Sequence, residues 1–158
     1  MQQAPQWWLT TDQDVALLAM HARHYPKRHY ADGRRVYQCM GPGDKVALRT
    51  EACDAIWGWR KFIDDCIDIR TNKRQEGVNC AFFRNEGPVR SSDLVRQADA
   101  IADCEWADRR HYTYVDPQRV RAGLPGACFL AAGWKYVRYR GRRVRTQSGR
   151  LILERLRV

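Results

Sequence analysis

Residues 80–102 read CAFFRNEGPVRSSDLVRQADAIA, and this stretch decides the fold. Cys80, Ala81, Phe82 and Phe83 form an unbroken apolar run that reads as a buried strand. Arg84 to Arg90 contains Gly87 and Pro88 and reads as a tight turn. A helix then begins at the Ser91-Ser92-Asp93 cluster, with Leu94, Val95, Ala98, Ile101 and Ala102 at helical spacing. A glycine-bearing turn between a strand end and a helix start gathers backbone N–H groups at the positive end of the helix dipole. Such a turn suits an anion, usually a phosphate.

Upstream, Gln6–Leu9 reads as a short first strand and Asp12–Arg23 as a helix capped by Thr10 or Thr11, with Val15, Leu17, Leu18 and Met20 on its apolar side. His24–Gly43 is rich in Pro, Gly, His and basic residues and reads mostly as loop. Lys45–Arg49 and Ala55–Phe62 read as strands, while the charged segment Asp64–Glu76 reads as an irregular connection before the strand Val78–Phe83.

Downstream, the main helix spans Ser92–Trp106 and His111–Val115 is a strand ending at Asp116-Pro117. A short helix over Ala127–Ala132 stops at Gly133. The last strands are Lys135–Arg140 and Leu151–Leu156, joined by the basic segment Gly141–Gly149. The order is β-α-loop-β-β-β-α-β-α-β-β. It predicts an α/β (α+β) class, one domain over 1–158 with a mixed central sheet flanked by helices.

At 158 residues, 44% of them hydrophobic, the chain is long enough to bury a core. The six cysteines (Cys39, Cys53, Cys66, Cys80, Cys104, Cys128) include no CxxC pair. No disulfide framework is expected, and their spacing favours no zinc site. No apolar run reaches the length of a membrane span, and Met1–Trp8 lacks the order of a signal peptide, so a cytoplasmic protein is the expectation. The net charge of +10 is one-sided. Residues 1–116 hold 17 Lys/Arg and 17 Asp/Glu, whereas 117–158 hold 11 basic residues, ten of them Arg, against the single acid Glu154. Arginine forks pair bidentately with phosphate, so Arg138, Arg140, Arg142, Arg143 and Arg145 read as a nucleic-acid footprint. The plain alternative is a solubilising surface or basic tail.

Over nearly the whole chain this order of elements resembles the GCN5-related N-acetyltransferase (GNAT) fold. Its central strand–turn–helix carries [Gln/Arg]-x-x-Gly-x-[Gly/Ala], matched here by Arg84 and Gly87, with Val89 in the last position. Ala131-Ala132-Gly133-Trp134 resembles the AGW-type turn before the penultimate strand. Pro88 supplies no N–H, Val89 adds bulk where a pyrophosphate would approach, and Glu86 opposes a polyphosphate. Within that fold the chain resembles Mom-type phage DNA modification proteins and their phage or prophage relatives. The residues that carry this likeness are His24-Tyr25, the Arg84–Gly87 turn, Asp116-Pro117 and the unit Cys128–Trp134. Relatives carry an aromatic hydroxyl at the start of the short C-terminal helix, where this chain has Ala127 and Phe129.

That resemblance implies modification of the exocyclic N6 of adenine in double-stranded DNA by an acyl- or glycyl-derived group, in the host cytoplasm. The donor it implies is an acyl-CoA or an aminoacyl-tRNA, with iron as a metal suggested by resemblance alone. His24, Tyr25 and Asp116 are the catalytic candidates, and Arg84, Gly87, Ser91 and Ser92 the donor-binding ones. His24 reads either as a general base or metal ligand or as a surface histidine capping a helix. Asp116 either orients an amine, accepts a proton or joins a metal site, or simply initiates an Asp-Pro turn. Arg84 pairs either with a donor or with Glu86 or Asp116. Ser91 and Ser92 are helix caps or donor ligands.

Trp57 and Trp59, like Tyr112 and Tyr114, lie on one side of a strand and read as core, with base stacking the alternative. Two further functions remain open at this point: an acyl-CoA-dependent N-acyltransferase on a small amine or protein, and a non-catalytic DNA-binding module.

Overall fold

Trp57 and Trp59 lie fully buried on one strand with their ring centroids 4.9 Å apart, and the protein is assembled around them. The computed structural model describes residues 4–23, 38–120 and 123–158. In chain order the elements are β1 (Trp8–Thr10), α1 (Val15–His21), β2 (Asp44–Arg49), β3 (Ala55–Lys61), β4 (Asp64–Asp68), β5 (Lys73–Gln75) and β6 (Val78–Asn85). They continue as α2 (Ser91–Glu105), β7 (Arg110–Val115), α3 (Ala127–Ala131), β8 (Lys135–Tyr136), β9 (Arg138–Tyr139), β10 (Arg142–Arg143) and β11 (Leu151–Leu156). The class is mixed α and β, as the sequence predicts. Among these helices none is long and apolar enough to cross a membrane.

Among the described residues seven strands form one sheet in the order β1-β2-β3-β6-β7-β11-β8. Neighbours are antiparallel except β6 and β7, which run parallel because α2 carries the chain back between them. On one face Leu48, Trp57, Trp59 and Val78 pack beneath α2, which contributes Leu94, Val95, Ala98 and Ala102. On the other face Ala47, Ile56 and Phe82 pack against Leu17 and Met20 of α1. Trp59 donates its indole N–H to the Ala98 carbonyl at 3.0 Å, pinning α2 to the sheet. Asp99 adds a buried polar brace: it accepts from Trp134 Nε1 at 2.8 Å and stands 2.7 Å from His111 Nδ1. These contacts place Trp57 and Trp59 in the core reading of the sequence.

Four sequence expectations are corrected. First, α1 starts at Val15 rather than Asp12. Its cap is Asp14, whose carboxylate accepts from the Ala16 amide at 2.9 Å, while Thr10 donates to that same carboxylate. Second, α2 has Arg90 at its N-cap with no side-chain cap, so neither Ser91 nor Ser92 takes that place. Third, the Lys135–Arg140 strand divides into β8 and β9. The basic segment after it forms β10, which pairs with β9 through a turn at Arg140 (φ 51°) and Gly141 (φ 78°). Two successive positive φ values give the type I′ geometry that matches strand twist.

Fourth, Asp64–Glu76 is an ordered hairpin, β4–β5, rather than an irregular connection. Its polarity is inverted. Asp64 and Asp68 are buried at 7% exposure each, while Ile63, Ile67 and Ile69 are 74%, 51% and 53% exposed. The reason is the surface beneath it. The hairpin meets tyrosine hydroxyls of β7 and the Glu154 carboxylate of β11 rather than an apolar core. Asp64 accepts from the hydroxyls of Tyr112 and Tyr114, both at 2.7 Å. Arg70 bridges Asp68 to Glu154, which also accepts from Arg110 at 2.8 Å. Burial opposes ionisation of Glu154, yet its bonds to Arg70 and Arg110 outweigh that and hold the carboxyl below its usual range.

Candidate functional site

The turn after β6 is built largely from its own hydrogen bonds. Glu86 N–H donates to the Asp54 carbonyl at 2.7 Å, and Gly87 N–H donates to Asn85 Oδ1 at 3.0 Å. The Asn85 amide in turn donates to the Val89 carbonyl at 2.7 Å and to Ser91 Oγ at 3.0 Å. Gly87 is required by close approach: a Cβ there would lie 2.4 Å from Asp54 Oδ2. The Glu86 amide is thus engaged by the β2–β3 connection and the Gly87 amide within the turn, and Pro88 has none. The backbone donors open to an anion sit further on, at the uncapped start of α2 around Ser91 and Ser92. Ser92 is itself buried.

Arg84 takes the ion-pair reading: its Nε donates to Glu86, and its Nη1 donates to the Arg23 carbonyl at 2.9 Å. Arg23 pairs with the same carboxylate at 3.1 Å. The bonds from Arg23 first and Arg84 second pull the Glu86 carboxyl down to about 2.

Beside this turn the two parallel strands part. β6 and β7 pair at Val78–His111, Asn79–Tyr112 and Cys80–Thr113, and no further. Beyond that point β6 stays bonded to β3 and β7 to β11, so their facing edges diverge from Cys80 and Thr113 onward. Thr113 Oγ1 closes the fork by donating to the Cys80 carbonyl at 3.0 Å, and the Cys80 thiol turns to the Phe82 carbonyl at 3.6 Å. Burial pushes the Cys80 thiol well above its ordinary range and Cys128 up to about 11. Both stay protonated at neutral pH and act as small apolar groups.

On the α1 face, a cavity of about 390 Å³ abuts the fork between α1 and the β4–β5 hairpin. Cys80 and Ala81, where β6 leaves β7, line it together with His21, Asp64, Asn79 and Tyr114. Burial first raises both Tyr112 and Tyr114 far above the phenol range; the Asp64 carboxylate follows at Tyr112, and Cys66 and then Asp64 follow at Tyr114. Both tyrosines remain hydrogen-bond donors to Asp64.

The structure therefore brings Arg84, Gly87, Ser91 and Ser92 together at the turn and the start of α2. His24 and Tyr25 lie outside the described residues, three and four positions after the cavity-lining His21. Asp116 caps the short 3-10 turn Pro117–Arg119, accepting from Gln118 N–H at 3.0 Å, which is its turn-initiating reading. Among the described residues no three His, Cys, Asp or Glu groups stand together as metal ligands.

Arg138, Arg140, Arg142, Arg143 and Arg145 are all exposed on or beside the β9–β10 ribbon, with no carboxylate partner among the described residues. Sequence reasoning missed Asn85, Asp64, Asn79 and Arg150. Asn85 was legible as a turn residue, but the other three carry no local signal. Compared with family models, curated proteins and solved structures, the chain gives no match.

Proposed function

We propose that the chain is a DNA-modifying transferase on a GNAT-like scaffold, moving an acyl- or glycyl-derived group from a carrier to the N6 amine of adenine. The observation that carries this reading is the parting of β6 and β7 beside the start of α2. Two diverging parallel strands leave unpaired backbone edges, to which a donor arm bearing amide groups can add like a short strand. The first-turn amides at Ser91 and Ser92 then face the phosphate end of such a carrier. Acyl-CoA has that polarity, whereas aminoacyl-tRNA offers phosphates and an ester but no amide-bearing arm. Arg84 joins the donor if the donor's phosphates displace it from Glu86.

The acceptor side is supported by the β9–β10 ribbon, whose exposed arginines suit a phosphate backbone and whose two strands have the width of a major-groove reader. Of the catalytic candidates, Asp116 already caps a turn, so the reading assigns proton removal from the amine to His24, with Tyr25 beside it. Mass spectrometry of nucleosides from a bacterial host expressing the chain tests the proposal: an adenine nucleoside heavier than deoxyadenosine is expected. Heat of binding with acetyl-CoA, without any DNA product, would instead favour a small-amine acyltransferase.

A further inference from the structure

The β4–β5 hairpin and the cavity it borders have an arrangement that neither the core nor the donor fork explains. Asp64 and Asp68 of the hairpin turn inward, while Ile67 and Ile69, like the adjoining Ile63, turn outward. Ile63, 74% exposed, stands between Phe62 and Asp64, and both of those neighbours line the cavity. We infer that this cavity receives one adenine ring extruded from the duplex, and that Ile63, exposed between two of its lining residues, fills the gap left in the base stack. The inference rests on the DNA-modification reading above and specifies where its acceptor sits.

Four observations support it. The volume of about 390 Å³ falls within the range of small-molecule pockets, roughly 300–1,000 Å³. Phe62 and Tyr114 provide aromatic surface, and each carries a guanidinium on its ring: Arg60 at 3.7 Å and Arg150 at 4.5 Å. That combination of aromatic face and arginine is how proteins hold an unstacked base.

The edge groups also suit adenine. Asn79 anchors its Nδ2 on the Tyr112 carbonyl at 3.3 Å, which leaves Oδ1 to accept from an exocyclic amine. Arg150, whose Nε is held by Ser148 Oγ at 3.2 Å, supplies N–H donors toward ring nitrogens. Finally, the cavity shares Arg150 with a second groove. That groove is lined by Cys66, Thr146, Gln147 and Ser148 as well, and in the chain Thr146 directly follows Arg145, close after the β9–β10 ribbon. An apolar wedge at the mouth of such a pocket is the usual partner of an extruded base.

The test is photocrosslinking of the full chain to a duplex carrying 8-azidoadenine in a mismatch, which lowers the cost of extrusion, followed by peptide mapping. Cross-links within 60–64 or 112–114 are expected. Ile63→Ser, a change at an exposed position, should lower their yield several-fold while duplex affinity stays within about twofold, since phosphate contacts rest with the arginine ribbon. Cross-links confined to 138–150, or a yield unchanged by Ile63→Ser, overturn the pocket. Modified adenine in expressing cells without cavity cross-links overturns the pocket and leaves the transferase standing. Failure to bind any duplex overturns both.

Discussion

Asp64 accepts a 2.7 Å hydrogen bond from the Tyr114 hydroxyl, one of the contacts that join the β4–β5 hairpin to the central sheet. Tyr112 donates to the same oxygen, and the Cys66 amide donates to the other one at 3.0 Å. The carboxylate is nearly saturated, which is why it tolerates burial with no cation partner among the described residues.

Asp64→Ala therefore strands two tyrosine hydroxyls in a largely buried setting. The expected loss is about 2–4 kcal/mol, read by urea or thermal unfolding. A stability within about 0.5 kcal/mol of the wild type would mean that the hairpin is not held by this contact.

Acid should loosen the same hairpin. Asp68 and Glu154 have folded pKa values below their ordinary ones: burial opposes their ionisation, but bonds to Arg70, and for Glu154 also to Arg110, prevail. A depressed carboxyl contributes stability that is fully present above the unfolded pKa, about 4, and is lost as pH falls through the folded value. Melting temperature should therefore decline from about pH 4 downward. Glu154→Gln should lower it at neutral pH and flatten the acid limb. An acid limb of unchanged steepness in the variant would rule out this origin.

Gly87→Ala probes the donor turn without touching charge. Its Cβ would meet Asp54, which Thr50 holds in place at 2.6 Å, so the turn must shift. About 1–3 kcal/mol of destabilisation is expected by thermal unfolding, together with weaker binding of the donor. Glu86→Gln should do the reverse at the ligand level, because it frees Arg84 and Arg23 from a shared carboxylate. Affinity for acetyl-CoA measured by calorimetry should rise several-fold at low salt, and equal affinity would argue that Arg84 takes no part.

Arginines of the β9–β10 ribbon that touch phosphates each contribute about 0.9 to the slope of log affinity against log salt. Replacing Arg138, Arg140 and Arg142 together by Ala should reduce that slope by about 2–3 with little effect on folding, since all three are exposed. A parallel fall in affinity at every salt concentration would point to lost structure instead.

The strand–turn–helix of residues 80–102 and the buried Trp57–Trp59 pair were legible because apolar periodicity reports directly on burial. Leu151–Leu156 was legible for the same reason. The β4–β5 hairpin was not, because its pattern is inverted: Asp64 and Asp68 look like surface residues until the polar face of β7 and β11 is known to lie beneath them. The cavity was hidden for a related reason. Phe62, Asn79, Tyr114 and Arg150 come from four separate stretches, and only the sheet order brings them together. The turn itself was half legible. Its glycine and proline were read correctly as a turn, but the internal bonding by Asn85 depends on Oδ1 reaching the Gly87 amide, a distance that no spacing rule supplies.

The most direct measurement is the mass of adenine nucleosides in DNA from a bacterial host expressing the chain, set beside DNA from the same host expressing the Arg138, Arg140 and Arg142 triple variant. The account predicts a heavier adenine nucleoside with the wild-type chain and a much smaller amount with the variant. Unaltered deoxyadenosine in a host that makes the intact, folded wild-type protein would contradict it.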